Sequence, residues 1–305
     1  MTEQTIKRLA FTNGQVVDCR RSTCEMTNLI ISGGKVMGLG YLPDDDEGTT
    51  FYDIGNCLIV PHICDAYVSS ENPSYNQLEQ SFIRTGITAI GTQKEKTTNC
   101  GLRILPFKQP ICDLKTDVFS DRDAVYPVDA EFLSVNGETK RWETGLCPLR
   151  EFMLAFTQDK ELLLRLGDAI QSGLISSLVS GKDSFVTSDL RSVFVSLIMS
   201  ILSKELNWDW PDVFRVISLG CDPLFEQKLS TISLFSKPTF SIIDPKHEYT
   251  LSKEDVRDNP ILEPLVNQPL IGKCLATVVN GDLIYNLIKP QTASDIDQQQ
   301  KQSKF

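Results

Sequence analysis

The chain has 305 residues, of which 41% are hydrophobic, so it can bury a substantial core as one large domain or two smaller ones. Its 30 lysines and arginines stand against 40 aspartates and glutamates, a formal net charge of -10, and no local basic cluster is evident; we therefore expect neither nucleic acid nor a membrane surface as a partner. The chain has only two histidines, which excludes any mechanism that needs three or more imidazoles.

Cysteine usage indicates a reducing compartment. The nine cysteines form no C-x-x-C pair and no secretory signal is recognised, so we expect reduced thiols and a cytoplasmic protein. Cys19 and Cys24 bracket a short loop; a metal pair is one interpretation, but two reduced thiols are preferred. Four further cysteines stand in apolar surroundings and are predicted to be core residues: Cys57, Cys64, Cys221 and Cys274.

The first sixty residues predict short strands joined by tight turns. Asn13-Gly14 and Gly33-Gly34 each separate two apolar runs, and such pairs favour two-residue hairpins because both central residues take positive φ. A further strand is expected near residues 51–54.

The stretch from Cys57 to Pro73 marks a change in organisation. Two apolar runs flank the Pro61-His62 break and lead to Asp65, a single acid among residues that suit a buried strand. We therefore predict a strand that enters a core, with Asp65 hydrogen-bonded to backbone at its end.

The middle of the chain alternates helical and extended patterns, which indicates an α/β layout. Residues 93–147 predict irregular structure, apart from a strand at 102–107. The other predicted elements are a helix near 78–83 ended by Gly86, a strand at 87–90, a helix at 159–171, a strand at 174–179, a buried helix at 188–204, and a helix that Pro211 opens and Gly220 ends.

The C-terminal part is again β-rich. A strand is predicted at 239–243, ending at Asp244-Pro245, and Asn280-Gly281 predicts a hairpin within residues 276–285. Because the two ends are alike in type, we predict a β-module built from 1–60 and 236–289, with a polar, disordered tail at 290–305.

Several strings occur in a recognisable order: Asn13-Gly14, Gly34-Lys35-Val36, Pro61 with Asp65, Cys147-Pro-Leu-Arg150, Phe240-Ser-Ile-Ile-Asp-Pro245 and Thr277-Val-Val-Asn-Gly281. Together they resemble the dihydroorotase-like members of the amidohydrolase superfamily. The resemblance implies an α/β fold, with a TIM-like (β/α) barrel and a small β-sandwich-like module made from both termini. A barrel at 61–235 is shorter than the ~200 residues that eight βα units usually need, so we expect it to be incomplete.

The resemblance also implies where the family's chemistry would lie, and at each of these positions the sequence departs from the family. The family's His-x-His zinc ligands fall on Tyr67 and Ser69, and its aspartate base and a histidine fall on Gly181 and Lys182. The substrate-binding arginine and asparagine fall on Glu71 and Glu95. These six positions are therefore interpreted as degenerate, and we expect no zinc, no other cofactor and no catalytic residues.

The remaining polar residues have simpler interpretations. His62 is predicted to be a partly exposed turn residue, and His247 a surface turn residue. Asp65, Glu71 and Asp183 could form a carboxylate set for acid-base work, but a backbone-bonded Asp65 and two solvated acids are preferred.

Three functions remain open. The first is a non-catalytic dihydroorotase-like subunit that supports assembly of aspartate carbamoyltransferase in pyrimidine biosynthesis, as a hetero-oligomer with that enzyme's catalytic chain. The second is an active, divergent amidohydrolase that opens cyclic amides, with oxygen ligands suited to Mg²⁺ or Mn²⁺. The third is a decayed barrel with an unrelated binding role.

Overall fold

The computed structural model describes residues 8–41, 48–66, 75–92, 102–106, 126–127, 145–180, 190–225 and 231–291. Its largest feature is a mixed sheet that combines strands from both ends of the chain, in the order β14-β13-β12-β5-β1-β2-β3, with β4 also paired to β1. Its strands are β1 (Arg8–Asp18), β2 (Thr23–Ser32), β3 (Lys35–Leu39), β4 (Thr49–Asp53), β5 (Leu58–Pro61), β12 (Phe240–Tyr249), β13 (Leu270–Val279) and β14 (Asp282–Asn286). The division of the chain into domains stays a prediction.

Six shorter strands form two parallel, three-stranded sheets, in the orders β6-β7-β8 and β11-β10-β9. They are β6 (Ile63–Asp65), β7 (Ile87–Thr92), β8 (Arg103–Pro106), β9 (Tyr126–Pro127), β10 (Gly145–Pro148) and β11 (Ser177–Val179). Residues of β6, β7, β8, β10 and β11, or just after them, share one apolar cluster with two residues nearer the C-terminus. The strand residues are Cys64, Ala66, Ala89, Leu105, Leu146 and Val179, and the other two are Cys221 and Phe225. The two parallel sheets therefore face a common core.

The helices pack around these sheets. They are α1 (Tyr75–Thr85), α2 (Leu149–Gln158), α3 (Lys160–Gln171), α4 (Phe194–Met199) and α5 (Trp210–Arg215); a π-helical segment, Ser200–Glu205, continues α4. Asp159 caps α3 by accepting a hydrogen bond from the Leu162 amide at 3.0 Å. Among the described residues, no helix is both long and apolar enough to cross a membrane.

Two of the three predicted tight turns are confirmed. Gly33-Gly34 joins β2 to β3, and Asn280-Gly281 joins β13 to β14; all four residues have positive φ. The Asn13-Gly14 hairpin is wrong, because β1 continues through both residues with a shift in register. Asn13 takes positive φ but Gly14 does not, so the pair lacks the two positive φ values of a type I′ turn, and it forms a bulge where the register of β1 shifts.

Other predicted boundaries also shift. β12 does not end at Asp244-Pro245 but continues to Tyr249 across an irregularity in register, where Asp244 accepts a hydrogen bond from the Lys246 amide at 2.9 Å. Proline has no amide hydrogen, so it interrupts the ladder without ending the strand. β10 lies in the region expected to be irregular, and α2 follows it directly although no helix is predicted there.

The segment 216–221 connects the two parallel sheets. The Cys64 amide in β6 donates to the Ile217 carbonyl at 2.7 Å, and the Ser177 hydroxyl in β11 donates to the Val216 carbonyl at 2.7 Å. A side chain at Gly220 would collide with the Ser176 carbonyl, so only glycine allows this close approach. The segment thus links β11 to β6 through hydrogen bonds to both strands.

Candidate functional site

The carboxyl ends of the parallel strands are the expected place for chemistry in a barrel of this kind. Asp65 ends β6 and is fully buried, and its Oδ1 accepts a hydrogen bond from the Ser180 amide, just after β11, at 3.1 Å. The prediction that Asp65 bonds to backbone is therefore confirmed. The Asp65 carboxylate therefore links the end of β6 to the residue that follows β11.

The six degenerate positions lie outside the described residues: Tyr67, Ser69, Glu71, Glu95, Gly181 and Lys182. The same is true of Asp183. Their interpretation stays a prediction from the resemblance, and the site must be judged from the side chains around them.

His62 is not the partly exposed turn residue that we predicted. It is 2% exposed, has a φ of 36°, and lies between β5 and β6, where its amide donates to the Thr239 carbonyl at 3.3 Å. Burial, together with the positive charge of Arg103, lowers the pKa of His62 to about 3, so its imidazole is neutral at physiological pH. The signal that could have shown this is its place between two fully buried strands.

His247 also differs from its prediction. It lies within β12 rather than in a turn, is half-buried, and its ring centroid is 6.0 Å from that of Tyr249. His62 precedes β6, and His247 belongs to the large sheet. Neither imidazole lies at the carboxyl ends of the parallel strands.

The described residues do not by themselves assemble the zinc centre that the family carries. Zinc in proteins is held mainly by imidazole, thiolate and carboxylate groups that converge on one point. In the described part of the chain, no three histidine, cysteine, aspartate or glutamate side chains come close enough together to hold a metal ion. Both histidines of the chain, His62 and His247, lie in this described part.

The cysteines behave as core residues. Cys57, Cys64, Cys221 and Cys274 are buried as predicted, and the Ser177 hydroxyl lies 3.0 Å from the Cys221 sulfur. Burial raises the pKa of the Cys57 thiol to about 11 and that of Cys274 to about 12, and burial followed by contact with Cys221 raises the pKa of Cys64 well above its ordinary value. The thiols with raised pKa values are poor nucleophiles at neutral pH.

Cys19 and Cys24 do not favour a metal pair. Cys19 is buried, and desolvation raises the pKa of its thiol to about 12. Burial also raises the pKa of Cys24, whose sulfur donates to the Gln15 side-chain oxygen at 3.4 Å. A metal would need thiolates, and both environments favour the thiol.

No protein-family model and no curated protein matches this sequence. Solved structures do match its fold. A dihydropyrimidinase from Brevibacillus agri superimposes with a TM-score of 0.64 and 12% identity, covering 92% of this chain and 95% of that chain. The chain therefore shares the fold of this dihydropyrimidinase.

Two further structures agree. A D-hydantoinase from a Thermus species gives a TM-score of 0.64 with 11% identity, and an L-hydantoinase from Arthrobacter aurescens gives 0.61 with 12%; each alignment covers 93% of this chain and 97% of the other. Identities this low show the fold alone. The superpositions confirm a TIM-barrel-like architecture, whereas the incompleteness of the barrel stays a prediction.

Proposed function

We propose that this chain is a non-catalytic member of the amidohydrolase fold that acts as an assembly subunit. One observation carries the proposal: both imidazoles of the chain lie away from the carboxyl ends of the parallel strands, one buried before β6 and one in β12. Asp65, the buried acid at those ends, is engaged with the Ser180 amide. The frame of the fold is retained without an imidazole at the position where its chemistry would occur.

The proposed partner is the catalytic chain of aspartate carbamoyltransferase. This part rests on the resemblance to dihydroorotase-like proteins, in particular on the Cys147-Pro-Leu-Arg150 string and on the six degenerate positions. In the structure that string forms β10 and the start of α2, with Cys147 and Leu149 buried and Arg150 exposed. Its apolar residues thus belong to the core, and Arg150 remains available to a partner.

The test combines purification, metal analysis and activity. Co-expressed with the aspartate carbamoyltransferase of the same organism, the full chain should co-elute with it in size-exclusion chromatography at a constant ratio. Alone, it should carry less than about 0.1 zinc per chain and should not cyclise carbamoyl aspartate. Two well-folded proteins that elute separately at micromolar concentrations would contradict the partnership.

A second candidate is a divergent cyclic amide hydrolase, which the shared fold with dihydropyrimidinase and hydantoinases favours. Asp65 would then be a metal ligand or base rather than a clamp between strands. Assays on hydantoin and dihydrouracil with Mg²⁺, Mn²⁺ and Zn²⁺ separate the two candidates. Turnover that Asp65→Asn or Tyr67→Phe abolishes, while the variant stays folded, would establish the second candidate and refute the first.

A further inference from the structure

A cavity of about 330 Å³ lies between the end of α1, the start of α4 and the strands β12 to β14. It is lined by residues that precede β7 and residues of the large sheet, so it is separate from the carboxyl ends of the parallel strands. Its size is within the range of small-molecule sites. The polar side chains around it include Arg84, Ser192, His247, Tyr249, Lys273 and Tyr285.

The charge of this cavity is opposite to that of the whole chain. Arg84 and Lys273 are both exposed, and neither makes an ion pair among the described residues. None of the residues that line the cavity is an acid, although the formal net charge of the chain is -10. Two cations that form no ion pair among the described residues therefore line the same cavity.

Two acids of β12 lie near Lys273 and His247 but have other partners. Asp244 pairs with Lys273 in the strand register, but its Oδ1 accepts the hydrogen bond from the Lys246 amide. Glu248, next to His247, forms an ion pair with Lys204 at 2.6 Å. Neither carboxylate lines the cavity.

The wall formed by α4 and β13 is closely packed, which indicates a preformed site. The Ser196 hydroxyl donates to the Gly272 carbonyl at 2.9 Å, and the Ile271 amide donates to the Ser200 hydroxyl at 2.8 Å. Gly272 has a φ of 95°, and a side chain there would overlap the Met199 sulfur. A wall that is fixed before binding reduces the entropy lost when a ligand is bound.

We propose that this cavity binds a small organic oxyanion, a carboxylate or phosphate carried on a flat ring. The anionic group would lie between Arg84 and Lys273, since a guanidinium can donate two parallel hydrogen bonds to a carboxylate or phosphate. The ring would lie against Tyr249, a half-buried aromatic residue that lines the cavity. This site does not depend on the assembly role, because it uses none of the residues at the carboxyl ends of the parallel strands.

The two histidines offer a direct readout. His247 lines the cavity, whereas His62 is buried between β5 and β6 and serves as an internal control. In ¹⁵N-detected imidazole spectra of the full chain, titration with phenyl phosphate or benzoate should shift the His247 signals saturably and leave His62 unchanged. Benzylamine, which has the same ring and the opposite charge, should shift neither.

Variants then assign the charge. Lys273→Met and Arg84→Gln should each weaken phenyl phosphate binding at least tenfold, whereas Arg84→Lys should weaken it less. Lys246→Met, on exposed Lys246 of β12 outside the cavity, should stay within twofold and is the matched control. Thermal unfolding of each variant checks that it remains folded.

Any one of three results would overturn the proposal. The first is that none of the anions binds saturably, and the second is that benzylamine produces equal shifts. The third is that the Lys273→Met and Arg84→Gln variants are folded and bind phenyl phosphate as well as the wild type does. If phenyl phosphate binds and benzoate does not, the site is assigned to phosphate esters, and the reverse result assigns it to carboxylates.

Discussion

The large sheet and the short parallel strands differ in how they are stabilised. Strands β1, β12 and β13 have 11, 10 and 10 residues, whereas β6 and β11 have three each. The sheet encloses an aromatic centre in which the Phe11 ring stacks on Tyr52 at 5.4 Å and meets Phe240 edge-on at 5.8 Å. The parallel strands share a cluster of eight mostly small residues. The aromatic centre belongs to a cluster that contains no residue of the two parallel sheets, so it stabilises the large sheet separately from them.

The same comparison extends to polar groups. At the ends of the parallel strands, the buried Asp65 carboxylate accepts a hydrogen bond from the Ser180 backbone amide. Beside the large sheet, Arg84 and Lys273 lie at an open cavity without ionic partners among the described residues. The two regions share the largest apolar cluster, which includes Val60 and Ile271 of the large sheet and Ile87 and Leu178 of the parallel strands. Their polar groups nevertheless lie at separate places.

The largest expected effect concerns the aromatic centre of the sheet. Phe240→Ala should reduce the free energy of unfolding by about 3–5 kcal/mol, because it removes a fully buried ring and leaves a cavity beside Phe11. Phe240→Leu, the control, should lose less than about 1.5 kcal/mol. Urea unfolding measures both; a loss below about 1.5 kcal/mol for the alanine variant would show that the Phe240 ring is not tightly packed in the aromatic centre.

A second effect concerns the two hairpin turns, whose tips touch. Gly281 has a φ of 89°, and a side chain there would collide with the Gly34 carbonyl. Gly281→Ala should therefore cost about 2–4 kcal/mol, the sum of the left-handed backbone cost and the clash. Gly173 has a φ of 78° with open space around it, so Gly173→Ala should show the backbone cost alone, about 1–2 kcal/mol.

Equal losses in the two glycine variants, measured by chemical unfolding, would mean that the hairpin tips move apart freely. The two halves of the sheet would then be joined through β5 and through the hydrogen bonds of Val36 with Phe235 and Ser236, without help from the hairpin tips.

A third effect is a dependence of stability on pH that arises where the two regions join. The pKa of His62 is about 3 in the folded chain and 6.5 as an ordinary value, so between these pH values the unfolded chain binds a proton that the folded chain does not. Stability should fall as the pH decreases through this window. His62 should account for about 2 kcal/mol of the loss between pH 6.5 and 4.5.

His62→Asn isolates this contribution, because asparagine tolerates the positive φ and does not titrate. The free energy of unfolding of the wild type, relative to that of His62→Asn, should therefore decrease by about 2 kcal/mol as the pH falls from 6.5 to 4.5. A difference that is constant from pH 7 to 4.5 would place His62 in contact with water.

The sequence predicted most of the frame, because local rules govern it. Glycine pairs with positive φ and the apolar runs around Pro61 have physical causes within a few residues. It did not predict the burial of His62, since that depends on Thr239 at the other end of the chain. The Asn13-Gly14 error has the same origin, because pairing of β1 with β2 and β4 overrides a local turn signal.

The candidate sites show the same limit. Asp65 could be identified because it stands alone in an apolar run, and its bond to backbone follows from the need to satisfy a buried carboxylate. The cavity at Arg84 and Lys273 could not be predicted from the sequence, because these two residues are 189 positions apart and neither belongs to a recognisable motif.

The smallest expected effect tests how firmly segment 216–221 joins the parallel strands. Ser177→Ala removes the hydroxyl that donates to the Val216 carbonyl at 2.7 Å, so it should cost about 0.5–1.5 kcal/mol. Ser172 donates to the Ala169 carbonyl at 3.1 Å but is exposed at the end of α3, where water can replace it; Ser172→Ala should therefore stay within about 0.5 kcal/mol. Hydrogen exchange at the Cys64 amide, which donates to Ile217, should accelerate only in the Ser177 variant. Unchanged exchange there would mean that β6 and β11 are held together by the Asp65 bond to Ser180 without help from this segment.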